Sequence, residues 1–341
     1  MNRPISKILI VGAGWTGRQI AVQCAAHRVE TYLTDASEAT IDSAIDWINT
    51  HIVSIASEAH WKPDSVQDYR NYLHRLKWAS SDTNESKQIE SIQIQGLSDE
   101  MDPLSNFDMV LECVSEQASI KRRVLKQISD RFSADTIVCS NSSYFTPSML
   151  MKYVRSPERY AHFHFHAPIH LSTIVDVACS AITSDEVAVR LCDFAKTIGQ
   201  HPIRQNKENS GYIYNWLLQS LIKSSLELVD RGIASPEDID LVWKTITRMP
   251  VGPFGIMDTI GLDLVQQVLS NARWVGDAEA MQRLVDVLEP FVQAGELGVK
   301  SSKGFFRYDS NSGPTPIASV SQDKQTAGNL LPKSSPKTQE K

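Results

Sequence analysis

KILIVGAGWTG, from Lys7 to Gly17, is the stretch on which the fold turns: a five-residue apolar run ends in Gly12-Ala13-Gly14-Trp15-Thr16-Gly17, a GxGxxG hexamer. Alone, the hexamer is a weak signal. Its surroundings strengthen it, because helical spacing starts near Gly17 and a second apolar run, ETYLTD from Glu30 to Asp35, closes with an acid at about the 20-residue interval of a dinucleotide fold. The pattern predicts a βαβ unit at the first residues. Gly12 then permits the tight turn, Gly14 lets the backbone approach a pyrophosphate, and Gly17 lets the helix lie against the strand, while free helix amides face the phosphates. Asp35 is expected to accept hydrogen bonds from an adenosine ribose. Because Ala36 follows rather than an arginine, a 2′-phosphate there would meet a carboxylate, and NAD is expected over NADP.

Working outward, Ser37 to about Ser80 shows helix-like spacing (Ile41, Ile45, Ile48, Ile52, Ile55) broken at Lys62-Pro63, after which Tyr69, Leu73 and Leu76 continue it. This reads as a helical hairpin inserted over about 37–80. Strand-like runs return at Ile92 to Gln95, Met109 to Val114, Ile137 to Ser140, His162 to His166 and Ile174 to Ala178, with helical segments between most of them. Such alternation argues for an α/β fold with a mostly parallel, Rossmann-like sheet covered on both faces. From Ser210 the spacing is wholly helical: Ile213, Leu217, Leu221 and Leu228 share a stripe, and Pro236 opens a helix after the cap Ser235. The expected division is a nucleotide-binding domain over 1–205 and an all-α domain over 206–308. Residues 309–341, rich in Ser, Pro, Thr and Lys, are expected to be a disordered tail.

Composition narrows the function. The chain has 341 residues and a formal net charge of −6, so nothing favours nucleic acid as a partner. Cys24, Cys113, Cys139, Cys179 and Cys192 form no CxxC pair, as expected of thiols in a reducing compartment. No apolar stretch approaches the roughly 20 residues that span a bilayer, and no signal core follows Met1 to Lys7. A cytoplasmic protein with no membrane partner is the expectation.

Several blocks, in order, resemble the 3-hydroxyacyl-CoA dehydrogenase family over nearly all of Ile8 to Tyr308. They are VGAGWTG, VLECVSEQASIK (Val110 to Lys121), SNSS (Ser140 to Ser143), HFHFHAP (His162 to Pro168), IVDV (Ile174 to Val177), GYIYNWLL (Gly211 to Leu218), MPVGPFGIMDTIGLD (Met249 to Asp263) and KSSKGFFRY (Lys300 to Tyr308). The resemblance implies an NAD-dependent oxidoreductase of fatty acid metabolism that is a homodimer through its helical domain. It implies that Glu116, Lys121 and Lys300 contact the cofactor and that Ser143 lies between cofactor and substrate. It also makes His164 the catalytic histidine, Asp176 its acidic partner, and Asn215 a substrate-side residue of the second domain.

The chemistry fits those residue types. Oxidising a secondary alcohol removes a hydride from carbon and a proton from oxygen, so a base that titrates near neutrality is needed beside the nicotinamide. If the strands bearing His164 and Asp176 are antiparallel neighbours, the acid can fix the imidazole tautomer and stabilise imidazolium. Ser143 and Asn215 suit a substrate's oxygens, and as they come from different domains the site is expected in the cleft. His162, His164, His166 and His170 raise the question of a metal; the loop and the acid partner account for the chemistry without one, and none is assigned.

Two departures touch the substrate. The family's usual glutamate is Asp176 here, one methylene shorter, and its HFFNP motif reads His164-Phe165-His166-Ala167-Pro168, so Ala167 replaces an asparagine. Ala36 to Trp61 contains no Lys or Arg but has Glu38, Asp42, Asp46 and Glu58, a surface that should repel the polyanionic part of coenzyme A, although Lys62, Arg70, Arg75 and Lys77 follow. The expected reaction is oxidation of a 3-hydroxyacyl thioester. The alternatives are a free small hydroxy acid, as in gulonate or carnitine dehydrogenases, and a non-catalytic NAD-binding protein.

Overall fold

A computed structural model describes residues 3–62, 64–75, 107–271 and 278–308. The expected strand at Ile92 to Gln95, the end of the insertion with Leu76 and Lys77, and the expected tail over 309–341 lie outside them. The first unit contains strands β1 (Lys7–Val11), β2 (Glu30–Thr34), β3 (Leu73–Arg75), β4 (Met109–Glu112), β5 (Ile137–Ser140), β6 (Tyr160–Phe165), β7 (Ile174–Cys179) and β8 (His201–Arg204). Its helices are α1 (Trp15–Ala26), α2 (Glu38–Glu58), α3 (Ser65–Tyr72), α4 (Ala118–Arg131), α5 (Pro147–Leu150), α6 (Ile169–Ser172) and α7 (Asp185–Thr197). The second holds α8 (Tyr214–Asp230), α9 (Pro236–Thr247), α10 (Pro253–Ile260), α11 (Leu262–Asn271) and α12 (Ala278–Gln293).

The eight strands form one sheet in the order β3-β2-β1-β4-β5-β6-β7-β8, parallel throughout except for the antiparallel pair β6 and β7. Strand alternation splits the core in two. Ile8, Ile10, Leu33, Met109, Leu111, Phe163 and Phe165 pack on one face, while Leu9, Val11, Tyr32, Val110, Val138 and Tyr160 pack on the other. Both faces are buried, as a sheet with crossover helices requires. Helix α2 starts where Ser37 Oγ accepts from Thr40 N, and α9 where Ser235 Oγ accepts from Asp238 N just before Pro236.

Two elements differ from the sequence reading. Leu73 does not continue the helical spacing of the insertion: Leu73–Arg75 pairs with Thr31 to Leu33 as β3, and three residues at a sheet edge are too few to show alternation. Strand β8 was not expected, since Pro202 within the run demotes a strand reading; the structure places it beside β7 at the sheet's other edge. The chain divides into two compact units at Ile213 and Tyr214. Residues 205–212 are tied to the first unit, with Gln205 N donating to Val177 O, Ser210 Oγ to Tyr144 O and Tyr212 OH to Ser142 O. Along α8, Leu217 is 63% exposed, whereas Ile222 and Leu226 are buried. Among the described residues, no helix is long and apolar enough to cross a membrane.

Candidate active site

The site begins with strand pairing. In the antiparallel pair β6 and β7, His164 lies directly opposite Asp176, so the two side chains share one face of the sheet. His164 Nδ1 is 3.2 Å from Asp176 Oδ2, and the other ring nitrogen, Nε2, is 3.1 Å from Ser143 Oγ. The shorter acid therefore still reaches. His166, two residues along the same face, brings Nε2 to 2.8 Å from the same Oδ2. The three groups are close enough to hold a cation, with ligand atoms within 4.8 Å of one another. Both imidazoles, however, meet one carboxylate oxygen at hydrogen-bond distance, and the trio reads as a hydrogen-bonded unit.

Burial sets the protonation states. His164 is 3% exposed and Asp176 2% exposed. Desolvation pulls the His164 pKa below its ordinary value; the Asp176 hydrogen bond works the other way and the charge of His166 adds to the lowering. Desolvation pushes the Asp176 carboxyl up, but the hydrogen bonds from His164 and His166 outweigh it and leave it below the usual carboxylate range. A neutral imidazole with Nδ1–H toward a carboxylate leaves Nε2 as a lone pair.

Beneath this trio lies a polar network that the sequence did not disclose. Tyr212 stacks on the His164 ring, with centroids 4.3 Å apart and planes 11° from parallel. The Tyr212 hydroxyl donates to Ser142 O at 2.5 Å and lies 3.0 Å from His162 Nδ1, while His162 Nε2 meets Tyr160 OH at 3.0 Å. Fully buried, His162 is held neutral chiefly by desolvation. His162 thus belongs to the buried support, and His170, away from the trio, pairs with Glu58. Asn141 Oδ1 accepts from Phe165 N, fixing the loop after β5 against β6. The alternation of histidines along HFHFH was the available signal; nothing local marked Tyr212 as their partner.

Glu116 and Lys121 are joined. Glu116 Oε1 accepts from Ser142 Oγ at 2.5 Å and Tyr144 N at 2.9 Å, next to Ser143, while Lys121 Nζ is 3.1 Å from Glu116 Oε2. Lys121 is only 1% exposed, its ammonium also donating to Glu112 Oε1 and to Val114 O. The lysine thus sits under Glu116 as its support. Asn215, half-buried, is the second residue of α8, and Lys300 pairs with Asp263; both belong to the second unit.

The glycine loop fits a dinucleotide. Gly12 has φ +115°, and a Cβ there would stand 2.6 Å from Cys113 O; a Cβ on Gly17 would stand 1.9 Å from Gly12 O. Nothing lies within 4 Å of where a Gly14 Cβ would be, and no side chain caps the N-terminus of α1. Open space in front of uncapped amides is what a pyrophosphate needs. Asp35 Oδ2 accepts from Ala13 N at 2.8 Å and Oδ1 from Ser37 N at 3.0 Å, so the acid also braces the loop. The structure therefore joins His164, Asp176 and Ser143 in one place and Glu116 with Lys121 beside it.

Fold and loop together define an NAD-dependent oxidoreductase acting on CH–OH groups. The NAD binding domain of 3-hydroxyacyl-CoA dehydrogenase matches residues 7–209 and the C-terminal domain of the same family matches 211–308. The chain belongs to the 3-hydroxyacyl-CoA dehydrogenase family. It is 27% identical to the pig mitochondrial hydroxyacyl-coenzyme A dehydrogenase over 305 residues, covering 89% of this chain and 91% of that one. It is 30% identical over 210 residues to the 5-formyl-3-hydroxy-2-methylpyridine 4-carboxylate 5-dehydrogenase of Mesorhizobium japonicum, covering 61% and 67%. A diketoreductase structure superposes with a TM-score of 0.76 at 27% identity, over 90% of this chain and all of that one.

Proposed function

We propose that the protein oxidises the hydroxyl of a 3-hydroxyacyl thioester, 3-hydroxyacyl-CoA in the first instance, to the 3-keto product, or runs the reverse reaction, with His164 as the base. The observation that carries this is the Ser143–His164–Asp176 arrangement, in which Nε2 lies 3.1 Å from the Ser143 hydroxyl and Nδ1 3.2 Å from the Asp176 carboxylate. NAD, when bound, supplies the hydride acceptor. Its pyrophosphate is assigned to Gly12, Gly14 and Gly17, its ribose to Asp35, and further contacts to Glu116 and Lys300, with Lys121 acting through Glu116. His164 Nε2 takes the substrate's hydroxyl proton while Asp176 holds Nδ1–H and stabilises the imidazolium. Ser143 Oγ, within hydrogen-bond reach of Nε2, holds the same substrate oxygen, and Asn215 is assigned the acyl side.

A second reading has its own support. Helix α2 carries Glu38, Asp42, Asp46 and Glu58 with no basic residue, which disfavours coenzyme A phosphates, and one relative is named for a free pyridine carboxylate. A small free hydroxy acid is the substrate under that reading. Exposed Leu217, Leu241, Val242 and Ile246 on α8 and α9 support a homodimer through the helical unit. The test is a panel in which purified protein reduces NAD with 3-hydroxybutyryl-CoA, with free hydroxy acids, or with neither. The thioester alone supports the first reading, free acids alone the second, and no turnover a non-catalytic NAD binder. His164→Ala should abolish turnover with NAD affinity retained, and near-normal turnover would remove His164 as base.

A further inference from the structure

We propose that His166 is a positioning residue for the proton-transfer pair, holding the Asp176 carboxylate against His164 so that the His164 proton stays on Nδ1. The inference rests on His164 being the base and goes beyond it. Asp176 Oδ2 is shared by two imidazoles, and the closer contact is to His166, 2.8 Å against 3.2 Å for His164. The two rings stand edge to face, centroids 4.7 Å apart. Asp176 lies on the strand next to β6, where β-strand alternation puts His164 and His166 on one face and Phe163 and Phe165 on the other. A short carboxylate held by one imidazole can turn about its last bond; a second donor from a neighbouring rung removes that freedom.

The groups facing His164 are His162 and His166 on its own strand, Asp176 on β7, Glu116 and Ser143 on the loops after β4 and β5, and the ring of Tyr212. Of these, Asp176 and Glu116 raise the proton affinity of His164, and His166 lowers it. Removing His166 therefore has two effects. The carboxylate is shared by one imidazole fewer, so His164 protonates at higher pH, and its orientation loosens, so the Nδ1–H tautomer loses its exclusive hold.

Full-length protein with isotope-labelled histidine, titrated by NMR with His164→Ala as the assignment control, reads both effects without turnover. For His166→Phe the expected result is a His164 midpoint moved to higher pH and a mixture of tautomers. His166→Gln, which keeps an N–H donor but cannot carry charge, should keep the wild-type tautomer. If the Phe variant does not fold, His166→Ala compared with Gln gives the same contrast. In turnover, kcat should fall on the order of tenfold for Phe, as expected of one lost hydrogen bond to a charged group, with KM little changed and Gln restoring most of it. An unaltered His164 midpoint and tautomer in the Phe or Ala variant, or a Gln variant with as mixed a tautomer as either, would overturn the proposal. If the wild type reduces NAD with none of the substrates tried while the Phe variant still shows the shifted midpoint, the dehydrogenase reading falls and the positioning role stands.

Discussion

Replacing Lys121 by methionine tests the buried network beneath the site. Lys121 and Glu112 are 1% and 0% exposed, and the ammonium touches Glu112 Oε1 at 2.8 Å, Glu112 Oε2 at 3.1 Å and Glu116 Oε2 at 3.1 Å. Methionine fills similar space but leaves the Glu112 carboxylate with Ser140 Oγ and Val114 N as donors and no cation. Breaking one side of a buried ion pair costs about 3–5 kcal/mol, whereas an exposed pair is worth about 0–1. For a unit of this size that is a fall in melting temperature of about 6–20 °C. Desolvation pulls the Lys121 pKa down, but attraction to Glu112 and Glu116 prevails and leaves it raised. A raised folded value means the contribution is complete below the unfolded lysine range near pH 10.4 and is lost only as pH rises through the folded one. Urea unfolding followed by circular dichroism should therefore give the same deficit at pH 7 and pH 9. The double variant Lys121→Met, Glu112→Gln should recover part of it, because no charge is then stranded. A deficit under about 1 kcal/mol, or a double variant no better than the single one, would refute the reasoning.

Three other perturbations follow from the geometry. Gly17→Ala drives a Cβ to 1.9 Å from Gly12 O, so NAD affinity by calorimetry should drop by at least about tenfold, and a wild-type value would contradict the tight loop. Asp35→Asn removes the charge expected to oppose a 2′-phosphate, so the ratio of NAD to NADP affinity should fall by about tenfold or more; an unchanged ratio would take that role from Asp35. His162 is buried and its folded pKa lies well below the usual range, so the unfolded chain binds the extra proton first as pH falls. Stability should decline below about pH 6.5 by up to roughly 1.4 kcal/mol per pH unit for this group, and His162→Gln should flatten the slope seen in urea titrations at pH 7.5 and 5.5.

What could be read from the sequence depended on how local each signal is. The βαβ opening was legible because the first strand, KILIV, is apolar on both faces and the glycines stand at fixed offsets, and β5 was legible as the four-residue run IVCS. Strands β3 and β8 were not: they are edges of three and four residues, one following a helix without a break and one containing Pro202. At the candidate site, His164 and Asp176 were visible as residue types on successive strands, and register put them face to face. The sharing of Asp176 with His166 was invisible, because it depends on which carboxylate oxygen each ring meets. Tyr212 was hidden for a different reason. It sits 48 residues after His164, at φ +53°, just before α8, and only tertiary structure lays its ring on the imidazole.

The proposed reaction also explains why this site tolerates so costly a set of buried polar groups. Before proton transfer the His164–Asp176 pair carries the carboxylate's negative charge; after it, His164 is imidazolium and the pair is neutral. In a site this enclosed, losing net charge is favourable, which offsets the desolvation that makes His164 a weaker base. The stacked face of Tyr212, at 4.3 Å, adds an attraction for the imidazolium that the neutral ring does not feel. Under the proposed role of His166, the second imidazole decides where the carboxylate points, and so which nitrogen of His164 is left to meet the substrate.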